Sequence, residues 1–174
     1  MNRTAHHIIQ STEEKKIWQI LETVCDPEIP VLSVIDLGII RKIEIYNEVQ
    51  MPPSGGLGVF ITPTYSGCPA MDAISMDIKL KLIEYGYKNI KIISVLSPAW
   101  TTDWMSEEGK KKLLEYGIAP PRVSGHAKGP DSLPPCPQCQ STNTKLLSQF
   151  GSTACKALYQ CQDCKEPFDY FKCH

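Results

Sequence analysis

Thr62-Pro63-Thr64-Tyr65-Ser66-Gly67-Cys68-Pro69-Ala70 joins an apolar run, Leu57 to Ile61, to a helical pattern, Ala70 to Tyr85. The run reads as a strand, so this segment is a strand-to-helix turn. Pro69 suits the first helical position, because it lacks an N–H that would be orphaned there. Cys68 then falls at the N-cap. Free backbone N–H groups and the helix dipole at that end stabilise negative charge, which lowers a thiol pKa and favours thiolate. Two readings of Cys68 follow. It is the working residue of the larger domain, or it is a small apolar side chain buried at a tight turn.

Upstream of the turn, Ser11-Thr12-Glu13-Glu14 matches a capping box. Ile17, Ile20, Leu21 and Val24 then recur at helical spacing. A residue before proline avoids the helical region, so Pro27 ends this helix near Cys25. Asp26-Pro27-Glu28-Ile29-Pro30 makes a stiff, polar turn at a helix C-terminus, where the dipole disfavours anions. Its acids either cap a solvated loop or face Cys68 and share its chemistry. Ile39 to Tyr46 reads as a strand, with Ile43 and Ile45 alternating with Lys42, Glu44 and Tyr46. A Pro/Gly-rich connection, Asn47 to Gly56, leads to the next strand.

Downstream, Ala70, Ile74, Ile78 and Leu82 line one helix face, widened by Met71 and Ile83, and Gly86 is a plausible C-cap. Ile90 to Leu96 is apolar at nearly every position, which predicts a central strand covered on both faces. Trp100 and Trp104 form either a core lid or a partner-binding surface. Ser106 opens a last helix, with Glu107 and Glu108 in its favourable first turn, ending near Gly117. The element order predicts an α+β domain over residues 11–117, one helix layer covering one face of a small mixed sheet. Residues 118–135 hold five prolines and two glycines, a linker composition.

The chain has 174 residues, 42% hydrophobic and 21% charged, which fits one globular domain plus a small appendage. A net charge of −1 gives nothing to attract nucleic acid or anionic lipid. No apolar run approaches the ~20 residues that span a bilayer, and Met1 to Gln10 has no secretory core. His6 and His7 in that stretch are read as solvated, without a metal. Six of the eight cysteines lie from Cys136 onward. Without a signal segment, such a cluster reads as a metal site in a reducing cytoplasm rather than as a disulfide framework.

Cys136-Pro137-Gln138-Cys139 and Cys161-Gln162-Asp163-Cys164 are two C-x-x-C knuckles with 21 residues between them. This spacing predicts a zinc ribbon over residues 136–174, with structural zinc preferred to a redox iron or cluster site. A segment this short buries too little surface to fold unaided, so the metal supplies folding free energy. Cys155, beside Lys156, is a reactive thiol or a packed one. Cys173 and His174 are substitute ligands should the knuckle assignment fail. The ribbon's charges nearly balance, which disfavours nucleic-acid binding.

Asp26-Pro27-Glu28, Asp36-Leu37-Gly38, the Thr62 segment up to Cys68-Pro69 and the Trp100 region together resemble the SufT-like iron–sulfur assembly-factor family. Pro98 to Trp104, Tyr116 to Pro121, Phe150 to Thr153 and the ending Glu166 to His174 extend the resemblance over nearly the whole chain to the family of phenylacetyl-CoA epoxidase D subunits. The resemblance implies a maturation factor, not itself an enzyme, beside an iron-dependent oxygenase, with the oxygenase or reductase subunits as partners. It implies a transient iron or iron–sulfur cluster at Cys68, with Asp26, Glu28 and Thr62 as hard ligand, proton acceptor or hydrogen-bond donor. A homodimer or a client ligand would complete the site. Independently, the sequence has no Glu-x-x-His pairs of a di-iron bundle and no dinucleotide glycine fingerprint. A non-catalytic scaffold, and a thiol oxidoreductase pairing Cys68 with Cys25 or Cys155, are the competing readings.

Overall fold

The computed structural model describes residues 12–47, 55–122 and 133–172. Ser11, His6, His7, Cys173, His174 and most of the Pro/Gly-rich linker lie outside them. The chain forms two compact units that divide between Trp100 and Thr101.

In the first unit, α1 (Thr12–Leu21) buries Ile17, Ile20 and Leu21. It stops a turn before the expected Cys25. Thr23 N–H and Val24 N–H bond back three residues, to Ile20 and Leu21, and the Thr23 hydroxyl caps the Ile20 carbonyl at 2.7 Å. These bonds satisfy carbonyls that would otherwise be orphaned at a helix end. The chain then extends, and Cys25 bridges Ser33. Strands β1 (Ile40–Tyr46) and β2 (Gly56–Ile61) pair antiparallel, with Ile43 opposite Val59 and Ile45 opposite Leu57. Helix α2 (Ala70–Glu84) follows, and β3 (Ile90–Ser94) returns parallel to β2, with Ile61 opposite Ser94. The sheet is therefore mixed, in the order β1-β2-β3.

Two expectations fail here. The Ile90–Leu96 run ends at Ser94 and is an edge strand with only Ile90 fully buried; β2 is the central strand. An apolar run reports residue type, whereas burial depends on how many neighbours the strand has. Ile83 does not widen the core face of α2: it is 49% exposed, on a side shared with Met76 and Leu80. Ala70, Ile74, Ile78 and Leu82 are buried as their spacing requires. Gly86 follows the helix at φ 90°, a left-handed conformation that glycine adopts without a Cβ penalty.

In the second unit, a short 3-10 turn (Thr102–Trp104) precedes α3 (Glu107–Glu115). The Ser106 hydroxyl accepts from Gly109 N–H at 2.8 Å, an N-cap as expected. Strand β4 (Ile118–Ala119) then pairs parallel with β7 (Pro167–Phe171). With β5 (Thr144–Ser148) and β6 (Lys156–Cys161) it completes a sheet in the order β4-β7-β6-β5. The last helix, expected in the first domain, and Ile118–Ala119, expected in the linker, thus fall in the ribbon's unit. The reason is pairing: Ala119 sits opposite Tyr170 and packs with Cys136, Cys161 and Phe168.

Candidate metal centre and loop thiol

The two knuckles fold alike. Cys136 N–H donates to the Ser141 carbonyl at 2.9 Å, and Cys161 N–H donates to the Glu166 carbonyl at 3.0 Å, each across five residues. Gln140 and Lys165, each following the second cysteine of its knuckle, take left-handed backbone angles, φ 63° and 68°. Such a conformation is uncommon for side-chain-bearing residues. The two turns thereby aim four sulfurs at one point: every Sγ lies within 4.8 Å of the others. Cys136 to Cys164 is 3.7 Å, and Cys139 to Cys161 is 3.6 Å. Zinc–sulfur bonds of about 2.3 Å in a tetrahedron require sulfurs about 3.8 Å apart, a spacing these two pairs match, so the donor set fits zinc.

The thiols' acidities point the same way. Burial pushes the Cys161 thiol up, but the Cys164 and Asp163 N–H groups and the Cys139 and Cys164 sulfurs outweigh it and bring it to about 6. For Cys164, the Glu166 N–H favours the thiolate, yet desolvation and the other three sulfurs push it up to about 12. Four sulfurs this close cannot all ionise until a cation neutralises them. Among the described residues, this is the one group of three or more His, Cys, Asp or Glu side chains gathered at metal-ligand distance.

Cys155 is buried, 3.0 Å from the Thr153 hydroxyl. Its neighbour Lys156 is also buried, and its ammonium pairs with Asp169 at 3.7 Å. In the first unit, Pro69 already has helical angles (φ −68°, ψ −22°), and the Cys68 carbonyl accepts from Met71 N–H at 3.2 Å. Cys68 thus stands just outside the helix, half-buried. Among the described residues no backbone N–H reaches its sulfur, contrary to the N-cap expectation. The cap position falls on Pro69, which leaves Cys68 one residue outside it.

Asp26 is occupied locally. Its Oδ1 accepts from Glu28 N–H at 2.6 Å and Ile29 N–H at 2.9 Å, the turn-capping arrangement. Asp26, Glu28 and Cys68 do not converge as a three-ligand set. Thr62, on the loop leading to Cys68, is 1% exposed; its N–H reaches the Ile39 carbonyl, while its hydroxyl has no hydrogen-bond partner among the described residues. The motif Asp36-Leu37-Gly38 is structural. Asp36 and Ser33 cap one another through side chain and backbone at 2.9–3.1 Å. The Leu37 carbonyl receives Trp100 Nε1 at 2.9 Å, so Trp100, 3% exposed, closes the core. A groove of about 540 Å³, lined by Glu13, Lys16, Ile20, Tyr85 and Tyr87, lies at the opposite end of α2 from Cys68.

Residues 120–172 match the PaaD zinc beta ribbon domain, and residues 14–86 match the iron-sulfur cluster assembly protein family. The chain is 48% identical to an Escherichia coli (strain K12) protein that bears the name "Putative 1,2-phenylacetyl-CoA epoxidase" and is designated its D component, over 91% of this chain and 92% of that one. It belongs to the PaaD family. A Porphyromonas gingivalis "Fe-S protein maturation auxiliary factor" is 42% identical over 60% of this chain and 91% of its own. Among solved structures, a domain of unknown function, DUF59, from Bacillus anthracis is similar at 26% identity and a TM-score of 0.48, over 57% of this chain and 89% of that one. In this PaaD-family chain, the assembly-protein match contains Asp26, Glu28, Thr62 and Cys68, and the ribbon match contains all four gathered cysteines. No helix among the described residues is long and apolar enough to cross a membrane.

The residues that sequence reasoning passed over are Ser141, Asn143 and Asp163, which link the knuckles, and Ser33, which caps Asp36. A polar residue inside a C-x-x-C turn was the available signal for Asp163.

Proposed function

We propose that this chain is an accessory maturation factor for a multicomponent phenylacetyl-CoA epoxidase. It delivers iron or an iron–sulfur cluster, as cargo, to the oxygenase or its reductase, and does not catalyse the oxygen step itself. The observation that carries the reading is the state of Cys68. It is a half-buried thiol at the mouth of α2, free of hydrogen bonds among the described residues, on a loop whose buried Thr62 hydroxyl lacks a partner there. A thiol buried only for packing would be enclosed; a site built to retain metal would gather more ligands. One thiolate suits brief possession, with further ligands from the client or a second copy. Asp26 and Glu28 serve as hard ligands or proton acceptors during transfer, and the Thr62 hydroxyl as a hydrogen-bond donor. The names of the Escherichia coli and Porphyromonas gingivalis relatives, and this chain's own match to the iron-sulfur cluster assembly protein family, support this direction.

The test is Cys68→Ala, co-expressed with the epoxidase subunits. The variant keeps its circular dichroism and one zinc per chain, while the purified oxygenase and reductase are depleted in iron. Clients with a full iron complement overturn delivery through Cys68 and leave the chain a scaffold.

A further inference from the structure

The four sulfurs have a polar brace that reaches out from one knuckle only. At the middle of the second knuckle, the Asp163 carboxylate accepts the Ser141 hydroxyl on Oδ2 and the Asn143 side-chain amide on Oδ1, the latter at 2.8 Å. Asn143 N–H donates to Ser141 Oγ at 3.0 Å, and the Asn143 carbonyl accepts Gln162 N–H at 2.7 Å. Ser141 lies two residues beyond Cys139, and its carbonyl also receives Cys136 N–H. The segment that closes the first knuckle is therefore tied at three points to Gln162-Asp163. The equivalent position of the first knuckle holds Gln138, which is exposed.

We propose that Asp163 is a positioning residue for the ribbon's metal: it locks the two knuckles at tetrahedral spacing and slows the opening through which a metal leaves. It is not a ligand, because both carboxylate oxygens are engaged and the four sulfurs already complete the set. Its contacts are exposed. What they can govern is the rate at which one pair of thiolates parts from the other. Residues outside a ligand set that orient it commonly alter metal affinity by about 10–100-fold. The inference stands apart from the role of Cys68.

The test uses the full zinc-loaded chain and a competing chromogenic chelator in excess. Asp163→Ala is expected to release zinc roughly 10–100-fold faster than wild type, while its cobalt-substituted form keeps the wild-type four-thiolate absorption. Asp163→Asn retains one acceptor oxygen, so it recovers part of the slow release, which a bulk loss of folding stability would not predict. Adding Asn143→Ala to Asp163→Ala changes the rate no further, since both remove the same contact. Release within twofold of wild type overturns the proposal; an altered cobalt spectrum overturns it too, by making Asp163 a ligand. Should Asp163→Ala fail to fold, Ser141→Ala removes one arm of the brace, and unchanged release in that variant is equally fatal.

Discussion

The first unit buries Ile17, Leu21, Val59, Ile74, Ile78 and Leu82 in an apolar core and leaves Cys68 half-buried at its surface. In the second, a core cluster consists of Ala119, Cys136, Cys161 and Phe168, so two of its four members are candidate metal ligands. An apolar core organises one unit, and a cluster of four sulfurs organises the other. The difference teaches how the fold sets a thiol's surroundings. Four thiols gather where a turn is built twice; Cys68 stands by itself, half-buried, on a unit with an apolar core of its own.

Metal removal should separate the units most strongly. Chelation, or Cys161→Ser, is expected to unfold residues 133–172 while the first unit keeps its structure, read by hydrogen exchange along the chain. Structural zinc in small domains contributes about 10–16 kcal/mol of apparent binding free energy, so little of the ribbon should persist without it. A ribbon that stays protected after metal loss would erase the contrast. Because protons compete for the thiolates, retention should weaken as pH falls.

The reciprocal change is Ile78→Ala, at a fully buried position in the first unit. It should cost roughly 2–5 kcal/mol there, with zinc content and the chelator release rate unchanged. Loss of zinc in this variant would mean that the two units fold as one.

The smallest effect sharpens the picture of how α1 meets α2. Tyr87 donates to Glu13 at 2.6 Å, and burial, then the Glu13 carboxylate, pushes its phenol from 10 to about 12. A raised phenol contributes stability that is full below about pH 10 and is lost as pH climbs through about 12. Tyr87→Phe should therefore remove roughly 1 kcal/mol at neutral pH and flatten the alkaline limb of the first unit's unfolding curve, followed by tyrosine absorbance. An unchanged alkaline limb would break the clamp.

Much of this was legible in one dimension. Ala70, Ile74, Ile78 and Leu82 declare the buried face of α2 by spacing, and Ser106 declares the start of α3, because helical periodicity and capping are local physics. The four gathered sulfurs are legible for a similar reason: a C-x-x-C turn brings its own two sulfurs together. Other assignments failed where neighbours decide. The Ile90 run could not say that it would end as an edge strand, and Ile83 looks like its buried neighbours until the packing of α2 is known. Asp26 could have faced Cys68 or its own backbone, and only the fold shows its carboxylate on Glu28 and Ile29.

Taken alone, the order of residues settles the buried face of α2, the start of α3 and the pairing of sulfurs within each knuckle, since each rests on contacts within a few positions. Tertiary structure alone decided that Ile118–Ala119 joins the ribbon sheet, that Trp100 locks onto the Leu37 carbonyl, and that Asp163 spans both knuckles. Those contacts join residues some 20 to 60 positions apart, and such pairings depend on where the whole chain places its backbone, which no local pattern of side chains encodes.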